Sequence, residues 1–104
     1  MEAKGDCFRR NGKLFLEQYK NEPEARLVHG VVANAIDGQP MSHCWIEHGE
    51  LCVEFLDGAP FMIPKHYYYE LGHVIETVKY SYKEFMENLL QYEHWGHWEL
   101  NCNR

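Results

Sequence analysis

Residues 42–55 read SHCWIEHGELCVEF, and this stretch predicts the β-hairpin around which the rest of the fold is arranged. Two runs, 42–47 and 50–55, alternate between apolar and other side chains with the period of two that a half-buried strand requires. Between them stands His48-Gly49, a two-residue connection whose glycine suits the positive φ of a primed turn. The stretch therefore predicts two antiparallel strands joined by a tight turn.

The length of this turn decides which residues of the two strands face each other. A two-residue loop places His43 opposite Glu54, at a Cβ separation of about 4.5–5.5 Å that an imidazole–carboxylate hydrogen bond can span. A loop one residue longer would place Phe55 opposite His43, and Asp57 would then be the fallback acid. The two-residue loop also gives the hairpin one apolar face, which favours this register. That face comprises Cys44, Ile46, Leu51 and Val53.

Helix caps and turn residues predict the remaining elements. Asp6 is a good N-cap for a helix that begins at Cys7. Ser81 and Glu84 form a capping box ahead of a C-terminal helix. The predicted elements, besides the hairpin and the N-terminal helix, are strands over 26–33, 61–63 and 74–80 and helices over 65–71 and 82–92.

This order of elements predicts a single α+β domain over residues 1–104. In it, the N-terminal helix carrying Cys7 packs on a small, mainly antiparallel sheet, and a helix closes the chain. A net charge of −6, without any run of more than two Lys or Arg, argues against nucleic acid as a partner. No apolar stretch approaches the roughly 20 residues of a membrane span, and residues 1–6 lack a signal core, so we expect a cytoplasmic protein without membrane contact.

The four cysteines are expected to stay reduced in the cytosol, which favours buried, catalytic or metal-binding roles over disulfides. A metal role is disfavoured because no Cys-x-x-Cys occurs, and His94-x-x-His97 with Cys102 lacks a fourth ligand at a typical interval. We therefore expect neither a metal nor another cofactor. His29, within a Val-rich strand, is expected to be a structural histidine with satisfied nitrogens.

Cys7, His43 and Glu54 together have the residue types that thiol catalysis needs. A helix N-terminus presents free N–H groups and a partial positive charge, both of which favour a thiolate at Cys7. An imidazole activates such a thiol, and a carboxylate orients the imidazole. The sequence therefore offers Cys7 as nucleophile, His43 as base and Glu54 as the orienting acid.

The chain resembles papain-like proteins of the transglutaminase-like type. The likeness rests on Gly5-Asp6-Cys7 opening a helix, on Leu27-Val28-His29-Gly30 and on the His-x-Trp-x-Glu strand at 43–47. It is strongest with small, largely uncharacterised proteins of bacteria and their phages, which carry segments like 63–68 and 96–98. In such families the Cys is the nucleophile, the His the base and an acid or amide the orienter, which implies the same three residues here.

One departure from the papain pattern concerns the oxyanion. No Gln precedes the nucleophile in residues 1–6, so the donors would be the Cys7 backbone N–H and another group such as Gln39. Trp45 is expected to pack in the core, or alternatively to wall the site and bind substrate.

Two functions are compatible with this sequence. The first is a small thiol hydrolase or acyltransferase that acts on an amide or thioester bond of a protein or peptide. The second is a catalytically silent papain-like binding protein, such as a phage-encoded inhibitor of a host protein. The small size, the negative charge and the missing Gln favour the second reading.

Overall fold

The computed structural model describes residues 6–33, 37–56 and 59–100. Within these residues the chain forms three helices and five strands. In chain order they are α1 (Asp6–Gln18), β1 (Ala25–Ala33), β2 (Pro40–His48), β3 (Leu51–Leu56), β4 (Ala59–Pro64), α2 (Lys65–Leu71), β5 (Glu76–Tyr80) and α3 (Tyr82–Tyr92). The predicted α+β architecture is confirmed, including the helix with Cys7 at the start and the helix at the end.

The five strands form one antiparallel sheet in the order β4-β3-β2-β1-β5. Strands β1 to β4 follow one another as neighbours, and β5 returns to pair with β1. Helices α1 and α3 cover one face of the sheet, where Phe15 and Phe85 pack against Leu27 and Ile46. Helix α2 covers part of the other face, where Tyr68 packs against Trp45. The sheet is thus the middle of three layers.

The ends of two helices follow the sequence signals closely. The Ser81 hydroxyl accepts from the Glu84 backbone N–H at 3.2 Å, and the Glu84 carboxylate accepts from the Ser81 N–H at 2.9 Å, so the predicted capping box is present. Helix α2 follows Pro64 and ends before Gly72, as the sequence predicts. The predicted cap of α1, the Asp6 side chain, lies outside the described part of the chain.

The hairpin between β2 and β3 forms, but its predicted register is wrong. The two-residue turn is Gly49-Glu50, so His48 pairs with Leu51, and the ladder runs inward to Ile46 opposite Val53. Glycine still supplies the positive φ, since Gly49 has φ 63°. The turn lies one residue later than predicted, which moves the pairing by two positions.

A two-residue shift leaves every side chain on its predicted face, because side chains alternate with a period of two. Cys44, Ile46 and Val53 all join the apolar cluster under α1. His43, Trp45 and Glu54 therefore still share the opposite face. Direct pairing of His43 with Glu54 is replaced by a diagonal relation across the two strands, which long side chains can still bridge.

Gly30 allows the largest side chain of the core to lie across β1. A Cβ at Gly30 would stand 2.3 Å from the ring of Trp45, which is fully buried. Without that Cβ the indole packs over the neighbouring strand and fills the space beneath α2. Gly30 thereby permits the observed position of the Trp45 ring.

Candidate active site

Helix α1 presents Cys7 in its first turn, against strand β2. The Cys7 side chain is buried, with 7% exposure. One turn later the Asn11 amide, fully buried, donates to the Cys7 carbonyl at 3.0 Å and to the Cys44 carbonyl at 3.2 Å. Asn11 thus ties the start of the helix to the strand position adjacent to His43.

His43 connects Cys7 to Glu54. Its Nε2 is hydrogen-bonded to Glu54 Oε1, and the ring is also hydrogen-bonded to the Cys7 side chain. Burial disfavours the charged ring, but the hydrogen bonds to Cys7 and Glu54 and the negative charge of Glu54 outweigh burial and raise the pKa of His43 to about 10. The imidazole is therefore cationic at neutral pH.

Both oxygens of Glu54 are engaged. While Oε1 meets His43, Oε2 accepts from the Tyr68 hydroxyl at 2.6 Å, and Glu54 is only 6% exposed. Burial would raise the pKa of Glu54, but the bond and charge of His43, the Tyr68 hydroxyl and the positive charge of Arg10 lower it below its usual value. Glu54 is thus a carboxylate whose two partners fix its orientation, and it holds the His43 ring in turn.

The three residues named from the sequence as nucleophile, base and acid are therefore in one hydrogen-bonded chain. Asp57, the fallback acid, lies outside the described residues. Gln39, a candidate oxyanion donor, lies on the exposed turn before β2, where its backbone N–H donates to the Asp37 carboxylate at 3.0 Å. Its role at the oxyanion stays a prediction.

Trp45 supports the site from beneath and offers no surface to a substrate. It is fully buried, its ring centroid lies 6.1 Å from that of His43, and it packs on Tyr68 at 5.0 Å. Its indole N–H donates to Glu47 at 3.1 Å. Of the two roles expected for Trp45, core packing is the one that its burial allows.

Glu47 anchors a second polar network beside the first. Only 4% exposed, it accepts from the Tyr69 hydroxyl and pairs with Lys79 at 2.9 Å. Burial would raise the pKa of Glu47, but these partners, with Trp45, lower it. This network holds the Trp45 ring in place beside the His43 ring.

A cleft of about 510 Å³ opens beside α2, on the same side of the sheet as that helix. His43 and Glu54 stand in its wall, so the cleft reaches the hydrogen-bonded chain directly. The rest of the lining is mainly apolar: Val32, Met41, Phe61, Ile63, Tyr68, Leu71 and Gly72. His43 and Glu54 are therefore accessible from a mainly apolar cavity.

Sequence reasoning missed Asn11 and Tyr68. Asn11 gave no signal, because its two acceptors are backbone carbonyls, one of them 33 residues away. Tyr68 belongs to a run of three tyrosines, 67–69, on α2, and the run alone does not indicate which of them reaches the core. In the structure Tyr68 is buried whereas Tyr67 is 53% exposed, but only the fold reveals that Tyr68 reaches Glu54.

The other described cysteines differ from Cys7 in their surroundings. Cys44 and Cys52 lie inside strands and are almost completely buried. Burial raises the pKa of Cys44, and burial together with the Glu47 charge raises that of Cys52 to about 12. Cys7, in contrast, lies in the first turn of a helix and interacts with the His43 imidazole.

Comparison with known proteins gives no match: neither family models nor curated proteins nor solved structures are similar to this chain. The papain-like resemblance therefore stays a prediction. In the described ranges no helix is both long and apolar enough to cross a membrane. The same ranges contain no group of three or more His, Cys, Asp or Glu side chains that could hold a metal ion.

Proposed function

We propose that this protein is a small thiol hydrolase or acyltransferase that uses Cys7 as nucleophile, His43 as base and Glu54 as orienting acid. The observation that carries the proposal is a single imidazole that interacts by hydrogen bonds with both a thiol and a buried carboxylate. A cation beside a sulfur favours the thiolate, which is the nucleophilic form. Glu54 keeps the ring in the orientation that transfer to and from the sulfur requires.

The reaction starts from the thiolate–imidazolium pair. The Cys7 sulfur attacks the carbonyl carbon of an amide or thioester, and the imidazolium gives a ring proton to the leaving amine or thiolate as the C–N or C–S bond breaks. The acyl group is then held on the Cys7 sulfur. Neutral His43 removes a proton from water or an acceptor amine, which attacks the thioester, and Cys7 departs as a thiolate.

The proposed substrate is a protein, a peptide or an acyl thioester. The Cys7 backbone N–H in the first turn of α1, with Gln39 as a second donor, would stabilise the negative oxygen of the tetrahedral intermediate. The proposal also favours a reducing compartment such as the cytoplasm, because a disulfide-bonded Cys7 could not act as nucleophile.

Alkylation of the cysteines by iodoacetamide tests the proposal, with the modified residue identified by peptide mass mapping. At about pH 6 we expect Cys7 to react at least tenfold faster than free cysteine, and Cys44 and Cys52 to remain unmodified. His43→Ala should remove this enhancement and Glu54→Gln should reduce it. His48→Ala, at the other end of the same strand, is the matched control and should keep it. Ordinary Cys7 reactivity, or a rate that His43→Ala leaves unchanged, would refute the proposal.

A second candidate is a binding protein that retains this arrangement without turnover. The burial of Cys7 favours this second candidate, since a side chain that is 7% exposed offers little sulfur surface to a large substrate. Such a protein, for instance a phage-encoded inhibitor of a host protein, would act through its acidic surface. A Cys7→Ser variant with undiminished biological effect would decide for binding, whereas loss of the effect with retained folding would decide for chemistry.

A further inference from the structure

The cleft beside His43 is lined mainly by apolar side chains. Its walls come from four strands and from the end of α2, and only two ionised side chains, His43 and Glu54, line it. These two groups neutralise each other through their hydrogen bond. A ligand in the cleft therefore meets no uncompensated charge and need not carry one.

The rim of the cleft exposes apolar side chains that a ligand would cover. Phe61 on β4 is 39% exposed and Leu71 at the end of α2 is 72% exposed. The volume of about 510 Å³ lies within the usual range of small-ligand sites. Burial of this rim by an apolar group would be favourable in proportion to the area removed from water.

We propose that this cleft binds a neutral apolar group attached to the carbonyl that Cys7 attacks. The inference rests on the proposed function, because the identity of the occupant follows from the position of the base. His43 lines the cleft and its ring interacts with the Cys7 side chain, whereas Cys7 itself does not line the cleft. On this proposal, a group seated in the cleft extends its carbonyl past the His43 ring to the sulfur. Either an aliphatic acyl chain or the side chain of an apolar amino acid has this chemistry.

Binding is tested apart from chemistry with the Cys7→Ala protein, which cannot be acylated. Isothermal titration compares N-octanoylglycinamide, N-acetylphenylalaninamide and N-acetylglycinamide. We expect one of the first two to bind at least about tenfold more tightly than the third, and the preferred compound identifies the source of the apolar group. Equal affinities for all three would overturn the proposal.

A matched pair of variants locates the binding. Leu71→Ser, made in the Cys7→Ala background, should reduce the preference to less than about threefold, because Leu71 lines the cleft. Ile75→Ser should leave it unchanged, since Ile75 is similarly exposed, at 64%, but does not line the cleft. Equal effects of the two variants would place the ligand elsewhere and refute the assignment.

A rate measurement separates failure of this inference from failure of the proposed function. The wild-type protein is mixed with p-nitrophenyl acetate or with the p-nitrophenyl ester of the acid preferred in the titration, octanoate or N-acetylphenylalanine, and the burst of nitrophenol reports acylation. A burst at least about tenfold faster with the preferred ester supports both the cleft assignment and the chemistry. Bursts of equal rate would overturn the cleft assignment while leaving the chemistry intact. A binding preference without any burst would overturn the chemistry and support the cleft as an apolar site.

Discussion

Replacing Tyr68 by Phe tests whether Glu54 is a buried carboxylate with two engaged oxygens. The change removes only the hydroxyl that donates to Glu54 Oε2 at 2.6 Å, and it leaves the ring that packs on Trp45. A hydrogen bond to a charged group contributes about 1.5–3 kcal/mol, and Glu54 is only 6% exposed, so little of the carboxylate is open to water that could replace the lost donor. We expect the free energy of unfolding to fall by about 2 kcal/mol.

Urea denaturation at neutral pH measures this loss, with Tyr67→Phe as the control. Tyr67 is the neighbouring residue on α2 and is 53% exposed, so its variant should differ from wild type by less than about 0.5 kcal/mol. In a Glu54→Gln background the cost of Tyr68→Phe should fall to about 1 kcal/mol, the value of a neutral hydrogen bond. If the two Phe variants are equally stable, or if Glu54→Gln does not change the cost, the reasoning about Glu54 is wrong.

Two further predictions concern the groups that fix α1 and the core. Asn11→Ala should lower the free energy of unfolding by about 2–3 kcal/mol, because it leaves two buried carbonyls without their donor. In the same urea assay, Asn88→Ala, an exposed control that loses one similar bond within α3, should lower it by less than about 1 kcal/mol. Equal losses would contradict the role of Asn11 in joining α1 to β2. His29 is fully buried and neither ring nitrogen has a hydrogen-bond partner in the described residues; burial, with the charges of His97 and His94, lowers its pKa to about 3. Since the unfolded chain binds the proton first, stability should be lost as pH falls from about 6.5 towards 3, by up to about 1.4 kcal/mol per unit, and His29→Phe should remove this part of the slope. Identical slopes for wild type and His29→Phe would contradict it.

The elements of this fold could be predicted because their signals are local. The Ser81 capping box, Pro64 before α2 and the alternating pattern of the hairpin each act within a few residues. The turn register could not be fixed, since Gly49 fits either position of a two-residue loop. The face of Glu54 was nevertheless predicted correctly, because an error of two residues preserves the alternation of side chains.

Contacts between distant segments were beyond the sequence. The bond from Tyr68 to Glu54 depends on how α2 crosses the sheet, and the bond from Asn11 to Cys44 depends on how α1 is seated on β2. His29 illustrates the same limit. A buried histidine was expected to have satisfied nitrogens, but the described structure surrounds it with Phe8, Tyr80 and Trp98 rings instead of hydrogen-bond partners.

The central claim is that Cys7 and Glu54 together keep the His43 ring protonated beside the sulfur. A titration of the His43 ring by nuclear magnetic resonance measures this directly. Its pKa of about 10 predicts that the ring remains an imidazolium at pH 8, where a free imidazole is neutral. Cys7→Ser and Glu54→Gln should each move the midpoint downward, because each alters a hydrogen-bond partner that raises the pKa of His43. A wild-type midpoint near 6.5, unchanged in both variants, would contradict the account.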